Sequence, residues 1–147
     1  MSCRGVRVGR VLPVPLLLLF AAAGCGSKLY PVHGKVAFPD GTSLAGGLVV
    51  FERQQEEGKS ITARGEIHAD GSYQLSTYRP GDGVPAGKYR VLVAPKTDLN
   101  DIDNPHKPPP PFDPRYMAFA TSGLEFEVKA GENEFPIQVA QTPKNRR

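Results

Sequence analysis

The feature that most restricts how this chain can fold is a two-residue alternation of apolar and polar side chains. The clearest example covers residues 61–68, where one face carries Ile61, Ala63, Gly65 and Ile67. Successive side chains of a β-strand point to opposite faces, so this pattern predicts a strand with one buried face. After Cys25, no run of ten or more residues has the apolar stripe of an α-helix. The sequence therefore predicts an all-β fold.

Seven short runs of this kind occur after Cys25. They lie at 32–38, 48–53, 61–68, 73–77, 89–93, 124–128 and 135–139. Turn signals separate the runs, among them Asp40-Gly41 and Asp70-Gly71. Short strands at this spacing favour a seven-stranded antiparallel β-sandwich, which we place at residues 32–140.

Three details of these runs give sharper expectations. Asp70-Gly71 predicts a hairpin between the runs that flank it. Pro136 lacks an N–H, so we expect the last strand either at a sheet edge or with its N–H side facing solvent. In the run 48–53 we expect Val49 and Phe51 to point inward. Leu48 and Val50 make the outer face of this run apolar as well, which predicts a strand that is covered on both sides.

The first 24 residues have the composition of an export signal. The first ten carry three basic residues and no acid, namely Arg4, Arg7 and Arg10. An uncharged, mostly apolar run follows at 11–23, which is shorter than the roughly 20 residues that span a bilayer. Two prolines inside this run disfavour a buried helix. The segment 1–24 is therefore predicted to be a signal peptide.

The end of this segment, Ala22-Ala23-Gly24-Cys25, resembles the bacterial lipobox. In a lipobox, small residues precede a cysteine that is lipidated and becomes the first residue. The resemblance implies a lipidated Cys25, a lipidated tether at 25–31, and attachment to a membrane of the bacterial cell envelope, at the periplasmic face or the outer membrane. An ordinary signal-peptidase site at Ala21–Ala23 is the alternative. Cys3 lies in the discarded segment, so Cys25 is left without a disulfide partner.

The charge balance argues against nucleic acid as a partner. The whole chain has 18 basic and 15 acidic residues, a formal net charge of +3. Removing residues 1–24 removes three arginines and no acid, which leaves 15 residues of each sign. A neutral domain lacks the basic surface that nucleic-acid binding needs. Two cysteines in all exclude a disulfide-rich scaffold and a four-cysteine zinc site.

A Pro-rich insertion at 95–121 interrupts the alternation. It is 27 residues long, which exceeds an ordinary connection in a compact domain. Its four consecutive prolines, Pro108 to Pro111, favour an extended polyproline II segment. Two interpretations stay open, a crossover packed by its own aromatic residues and a surface for binding a partner. A tail at 141–147 is predicted to be disordered.

Candidate binding residues fall into three groups. An aromatic platform for a glycan or peptidoglycan would use Tyr78, Phe112, Tyr116 and Phe119. A calcium site would use Asp98, Asp101 and Asp103, although the glycine and glutamate of an EF-hand loop are missing and a solvated acidic loop is the alternative. His33 and His68 lie on outward faces of their runs, where they are solvated surface histidines unless a third ligand completes a metal site across a sheet.

Motifs for catalysis are missing from the sequence. No Gly-x-Ser-x-Gly occurs, and no His-Glu-x-x-His. No nucleophile, base and orienting group stand in a recognisable arrangement. We therefore expect a protein that is not an enzyme and that needs no cofactor.

The order of the short motifs resembles the carboxypeptidase regulatory-like (transthyretin-like) domain. The resemblance rests on Pro31-Val-His-Gly-Lys-Val36, Leu44–Phe51, Ala69-Asp-Gly-Ser-Tyr73 and Pro85-Ala-Gly-Lys-Tyr-Arg-Val91. Tyr116 and the segments 121–124 and 128–133 are similar to a subgroup of small bacterial lipoproteins built from this single domain. The resemblance implies a seven-stranded, transthyretin-like (prealbumin-like) β-sandwich. It also implies an accessory, structural or binding role at the cell envelope, and it transfers no activity. As partner we expect an envelope protein or a glycan.

Overall fold

The computed structural model describes residues 27–55, 58–97 and 108–142. These residues contain one 3₁₀ helix, Pro114–Met117, and no α-helix. The strands are β1 (Leu29–Tyr30), β2 (Val32–Ala37), β3 (Leu48–Gln54), β4 (Ser60–Glu66), β5 (Ser72–Gln74), β6 (Val84–Pro85), β7 (Gly87–Ala94), β8 (Leu124–Val128), β9 (Asn133–Glu134) and β10 (Ile137–Gln138). The prediction of an all-β fold is confirmed for this part of the chain. The predicted signal peptide lies outside it.

The strands form two larger sheets and one small pair. Sheet I has the order β10–β2–β5, with β9 also paired to β2. Sheet II has the order β4–β3–β7–β8 and is antiparallel throughout. The small pair joins β1 to β6. In sheet II, Phe51 lies between Ala63 and Val91, and Val91 lies beside Leu124.

The core lies between the inner faces of the two sheets. Alternate residues of β3 and β7 are fully buried, as their period-two pattern predicts, and these are Val49, Phe51, Val91 and Val93. Sheet I contributes Val32 and Val36. The Phe51 ring meets the Phe135 ring edge-on with centroids 6.0 Å apart, which joins sheet II to the C-terminal segment of sheet I. The arrangement is sandwich-like.

The prediction of seven antiparallel strands is not confirmed, because the described residues form ten strands and two pairs are parallel. Both β9 and β10 run parallel to β2. Strands β2 and β9 begin at the same end of sheet I, where the Asn133 backbone N–H donates to the Pro31 carbonyl at 3.0 Å. Both strands therefore run in the same direction. Pro136 lies between β9 and β10, and this interrupted strand lies at the edge of sheet I, as predicted.

The hairpin predicted around Asp70-Gly71 forms in part. Arg64 and Ser76 make an antiparallel bridge with two backbone hydrogen bonds of 2.9 Å, and the His68 backbone N–H donates to the Ser72 carbonyl at 2.8 Å. Gly71 has φ +82°, and Asp70 Oδ1 accepts hydrogen bonds from the Ser72 N–H at 3.0 Å and the Ser72 hydroxyl at 2.6 Å. After the turn, β5 pairs with β2 while β4 pairs with β3. The Val36 N–H donates to the Gly71 carbonyl at 2.9 Å, which draws the turn toward sheet I.

The prediction that β3 is covered on both sides is wrong at Leu48, whose side chain is 38% exposed. Val50, further along the strand, is half-buried. The segment that holds the 3₁₀ helix packs on β7, and its Ser122 hydroxyl donates to the Val91 carbonyl at 2.6 Å. The cover is therefore partial and ends before Leu48.

The described part of the Pro-rich insertion is fixed to the C-terminal segment. Phe112 forms an antiparallel bridge with Gln141, and the Asp113 N–H donates to the Ala140 carbonyl at 2.9 Å. The Thr142 hydroxyl donates to the Pro110 carbonyl at 2.7 Å. Ordered structure thus includes the first two residues of the predicted disordered tail, and residues 143–147 lie outside the described part.

The strand directions define two ends of the domain. We call the first the β1–β6 end, after the small strand pair that lies at it. Strand β2 begins at this end, strands β3 and β8 end at it, and it also carries the loop Thr77–Gly83. The opposite end carries the turns at 38–47 and 67–71 and the residues that follow β7. No helix in the described ranges is long and apolar enough to cross a membrane.

Candidate functional site

The structure does not bring the four predicted aromatic residues together on one surface. Phe112 is completely buried and Tyr116 is 5% exposed, so both belong to the core. Phe119 is half-buried, with the Arg90 guanidinium 5.7 Å from the ring centroid. Tyr78 lies in the Thr77–Gly83 loop and is 72% exposed. Phe112 and Tyr116 cannot form the exposed glycan platform that the sequence predicts.

The burial of Phe112 and Tyr116 follows from the way the 3₁₀ helix is anchored. Asp113 Oδ1 accepts a hydrogen bond from the Arg115 N–H at 2.9 Å and so caps the helix. The Tyr116 hydroxyl accepts from the Arg115 guanidinium at 2.6 Å and from the Ala140 N–H at 3.4 Å. The hydrogen bond to Tyr116 raises the pKa of Arg115 above its ordinary value. These contacts favour the interpretation of 108–121 as a packed crossover.

The candidate metal ligands are separated or lie outside the described ranges. Asp98, Asp101 and Asp103 lie in residues 98–107, which are outside those ranges, and Cys25 is also outside. His33 is on β2, with Nδ1 3.9 Å from a Glu132 carboxylate oxygen. His68 lies in the turn at the opposite end of the domain, where its backbone N–H donates to the Ser72 carbonyl. No three His, Cys, Asp or Glu side chains of the described residues are placed to hold a metal ion.

A charged groove of about 370 Å³ lies across three strands of sheet II. Its outward side chains are Glu52, Gln54, Lys88, Arg90, Glu125 and Glu127. Arg90 donates to Glu52 at 2.9 Å, and the strand register places Arg90 opposite Glu125 and Lys88 opposite Glu127. Opposite charges across neighbouring strands stabilise a sheet. The ion pair of Arg90 with Glu52 and the facing charges of Lys88 and Glu127 therefore support the pairing of these three strands.

The Thr77–Gly83 loop at the β1–β6 end is held by one carboxylate. Asp82 accepts hydrogen bonds from the backbone N–H groups of Thr77 at 2.8 Å, Tyr78 at 2.9 Å and Arg79 at 2.8 Å. Partial burial raises the pKa of Asp82, but the three N–H donors outweigh it and hold the pKa below its ordinary value. The sequence presents this segment as a Gly/Pro-rich connection, and the central role of its one aspartate was not predicted.

Further contacts fix this loop beside strand β1. The Thr77 hydroxyl donates to the Gly83 carbonyl at 2.6 Å, and Gly83 has φ +91°. A Cβ on Gly83 would lie 2.7 Å from the Tyr30 carbonyl carbon, so glycine is required there. Because β1 pairs with β6, the loop and strand β1 lie at the same end of the domain.

The same end is closed by an arginine and a tyrosine from the inner face of sheet II. The Arg53 guanidinium lies 5.6 Å from the Tyr89 ring centroid and donates to the Ala86 carbonyl. The Tyr89 hydroxyl donates to the Pro85 carbonyl at 2.9 Å, and burial raises its pKa. Strand β6 is thus held from both sides, by β1 and by sheet II.

Comparison with protein-family models, with curated proteins and with solved structures finds no match to this chain.

Proposed function

We propose that this chain is a lipoprotein of the bacterial cell envelope that carries one non-catalytic β-sandwich domain with a structural or binding role. The observation that carries the proposal is the position of Cys25. It ends a lipobox-like motif and precedes β1 by four residues, which span at most about 14 Å. A lipid on Cys25 would therefore keep the domain next to the membrane.

We also propose that the domain belongs to the carboxypeptidase regulatory-like (transthyretin-like) class. Two of the motif residues that support this resemblance depend on each other. The Tyr73 hydroxyl donates to the Phe135 carbonyl at 2.6 Å, and this bond passes directly over Gly34. A Cβ at position 34 would lie 2.7 Å from the Phe135 carbonyl carbon and 2.9 Å from the Tyr73 hydroxyl. The glycine of the first motif makes room for the tyrosine of a later one.

A glycan-binding role is the weaker alternative. It needs a flat, exposed group of aromatic rings, and two of the four candidate rings are in the core. Tyr78 and Phe119 are left on the surface, and the Arg90 guanidinium already lies over the Phe119 ring. The aromatic residues of the insertion thus favour packing over glycan binding.

Detergent phase partitioning tests the anchor with two matched cysteine variants. We expect the full-length protein, produced in a bacterium that processes lipoproteins, to partition into the detergent phase. Cys25→Ser removes the acceptor thiol and should move the protein to the aqueous phase. Cys3→Ser lies inside the predicted signal peptide and should leave the partitioning unchanged. Detergent-phase recovery of Cys25→Ser equal to that of the unaltered protein would refute the lipoprotein proposal.

A further inference from the structure

The β1–β6 end is the end of the domain that a lipid on Cys25 would hold against the bilayer. Strand β1 starts four residues after Cys25 and pairs with β6 in the register Leu29 to Pro85 and Tyr30 to Val84. The loop Thr77–Gly83 leads directly into β6. With a tether of at most about 14 Å, this loop lies within reach of the phospholipid headgroups.

Tyr78 stands on this loop with 72% of its surface exposed. The loop below it has one well-defined shape, since Asp82 accepts three backbone N–H groups and the Gly81 N–H donates to the Ser76 hydroxyl at 2.8 Å. A pre-organised loop loses little conformational entropy when it docks. A tyrosine combines an apolar ring with a polar tip, and this residue type is enriched where hydrocarbon meets water in membranes.

The charges around the loop have both signs, so the ring is the group on which we expect docking to depend. Lys28, Arg79 and Lys129 are exposed basic residues of this end. Asp82 and Glu132 are acidic residues of the same end. A mixed surface gives little net attraction to anionic lipid, although the exposed Arg79, the next residue after Tyr78, can donate to a phosphate.

We propose that the Thr77–Gly83 loop docks the domain on the bilayer, with the Tyr78 ring among the phospholipid headgroups. The proposal rests on the lipid anchor at Cys25. It gives the domain a fixed orientation, in which the turns at 38–47 and 67–71 point away from the membrane.

The opposite end provides a matched control. Met117 is also a large exposed apolar residue, with 42% of its surface exposed. It lines a cavity with Pro95 and Pro108–Pro111, beyond the end of β7 that lies farthest from β1. In the proposed orientation Met117 faces away from the bilayer.

The chain contains no tryptophan, so single-tryptophan variants report on one position each. The lipidated Tyr78→Trp and Met117→Trp proteins are reconstituted into phosphatidylethanolamine–phosphatidylglycerol vesicles with and without a headgroup nitroxide. We expect the nitroxide to lower the emission of Tyr78→Trp about twofold or more, as for an aromatic ring at headgroup depth. The emission of Met117→Trp should stay nearly unchanged. Circular dichroism of both variants checks that the fold is retained.

Vesicle flotation in the same samples separates this proposal from the anchor. The docking proposal is overturned, and the anchor stays in place, if the protein floats with the vesicles but the nitroxide quenches both positions equally or quenches Met117→Trp more strongly. Protein that does not float overturns both. Emission of Tyr78→Trp that shifts with protein density but not with nitroxide shows that a second copy covers the loop, which also overturns the docking proposal.

Discussion

Replacing Gly34 by alanine tests the packing at the centre of sheet I. The added Cβ would lie 2.7 Å from the Phe135 carbonyl carbon and 2.9 Å from the Tyr73 hydroxyl, both closer than real Cβ contacts. Either β2 or the Phe135 segment must therefore move. Overpacking of this kind costs about 1–3 kcal/mol. Breaking the partly buried hydrogen bond from Tyr73 to Phe135 adds about 1–2 kcal/mol.

We expect Gly34→Ala to lower the free energy of unfolding by about 3 kcal/mol, from these two contributions. Gly41→Ala is the matched control, because Gly41 has φ +84° and nothing within 4 Å of an added Cβ. Its cost is the left-handed backbone conformation alone, about 1 kcal/mol. Urea unfolding followed by circular dichroism measures both variants in the Cys25→Ser chain. A loss for Gly34→Ala no larger than that for Gly41→Ala would refute the reasoning.

Two further changes test the core and the loop. Phe112 is fully buried, so Phe112→Ala should lower the free energy of unfolding by about 3–5 kcal/mol. Tyr78 is exposed, so Tyr78→Ala should lower it by less than about 0.5 kcal/mol. Equal losses in urea unfolding would contradict the assignment of Phe112 to the core. The lowered pKa of Asp82 means that its ionised form stabilises the fold above the ordinary pKa of 3.8, and that this stability is lost as the pH falls through the lower folded-state value. Asp82→Asn should therefore have a lower free energy of unfolding than the parent at pH 7, and this difference should shrink below about pH 4. A difference in the free energy of unfolding that is constant with pH would contradict this role of the carboxylate.

Much of the sheet II architecture was predictable, because local alternation reports directly on which side chains are buried. Val49 and Phe51 were placed inward from the pattern of their run alone, and both are fully buried. The edge position of the last strand followed from one property of Pro136, its missing N–H. The two-residue strands β1 and β6 are too short to show any period.

Strand pairing was less predictable, because it depends on residues far apart in the chain. The hydrogen bond between Asn133 and Pro31 spans 102 positions and lies where β9 begins its parallel pairing with β2. The turn at Asp70-Gly71 was recognisable, but the choice of β2 as partner for β5 depends on contacts such as that from Val36 to Gly71. Local turn chemistry indicated the reversal and the bridge between Arg64 and Ser76, but it left the main partner of β5 undetermined.

In the candidate site, too, the positions of side chains depend on contacts between residues that are distant in the chain. An aromatic residue in a Pro-rich segment has the same sequence signature whether it is exposed or buried. The antiparallel bridge between Phe112 and Gln141 decides the outcome for that ring. The Asp82 carboxylate accepts hydrogen bonds from three backbone N–H groups that precede it in the chain, at positions 77–79. In the common turn motifs an aspartate accepts from N–H groups that follow it, so the sequence did not indicate this role. Which charges face each other across sheet II depends on the strand order β3–β7–β8, and the alternation within each run does not specify that order.

The most direct test of the lipoprotein account is mass spectrometry of the N-terminal peptide of the protein extracted from membranes. The account predicts a mature chain that begins at Cys25 and carries a diacylglyceryl group on its sulfur. A mature chain with an unmodified Cys25, or one that retains residues 1–24, would contradict it.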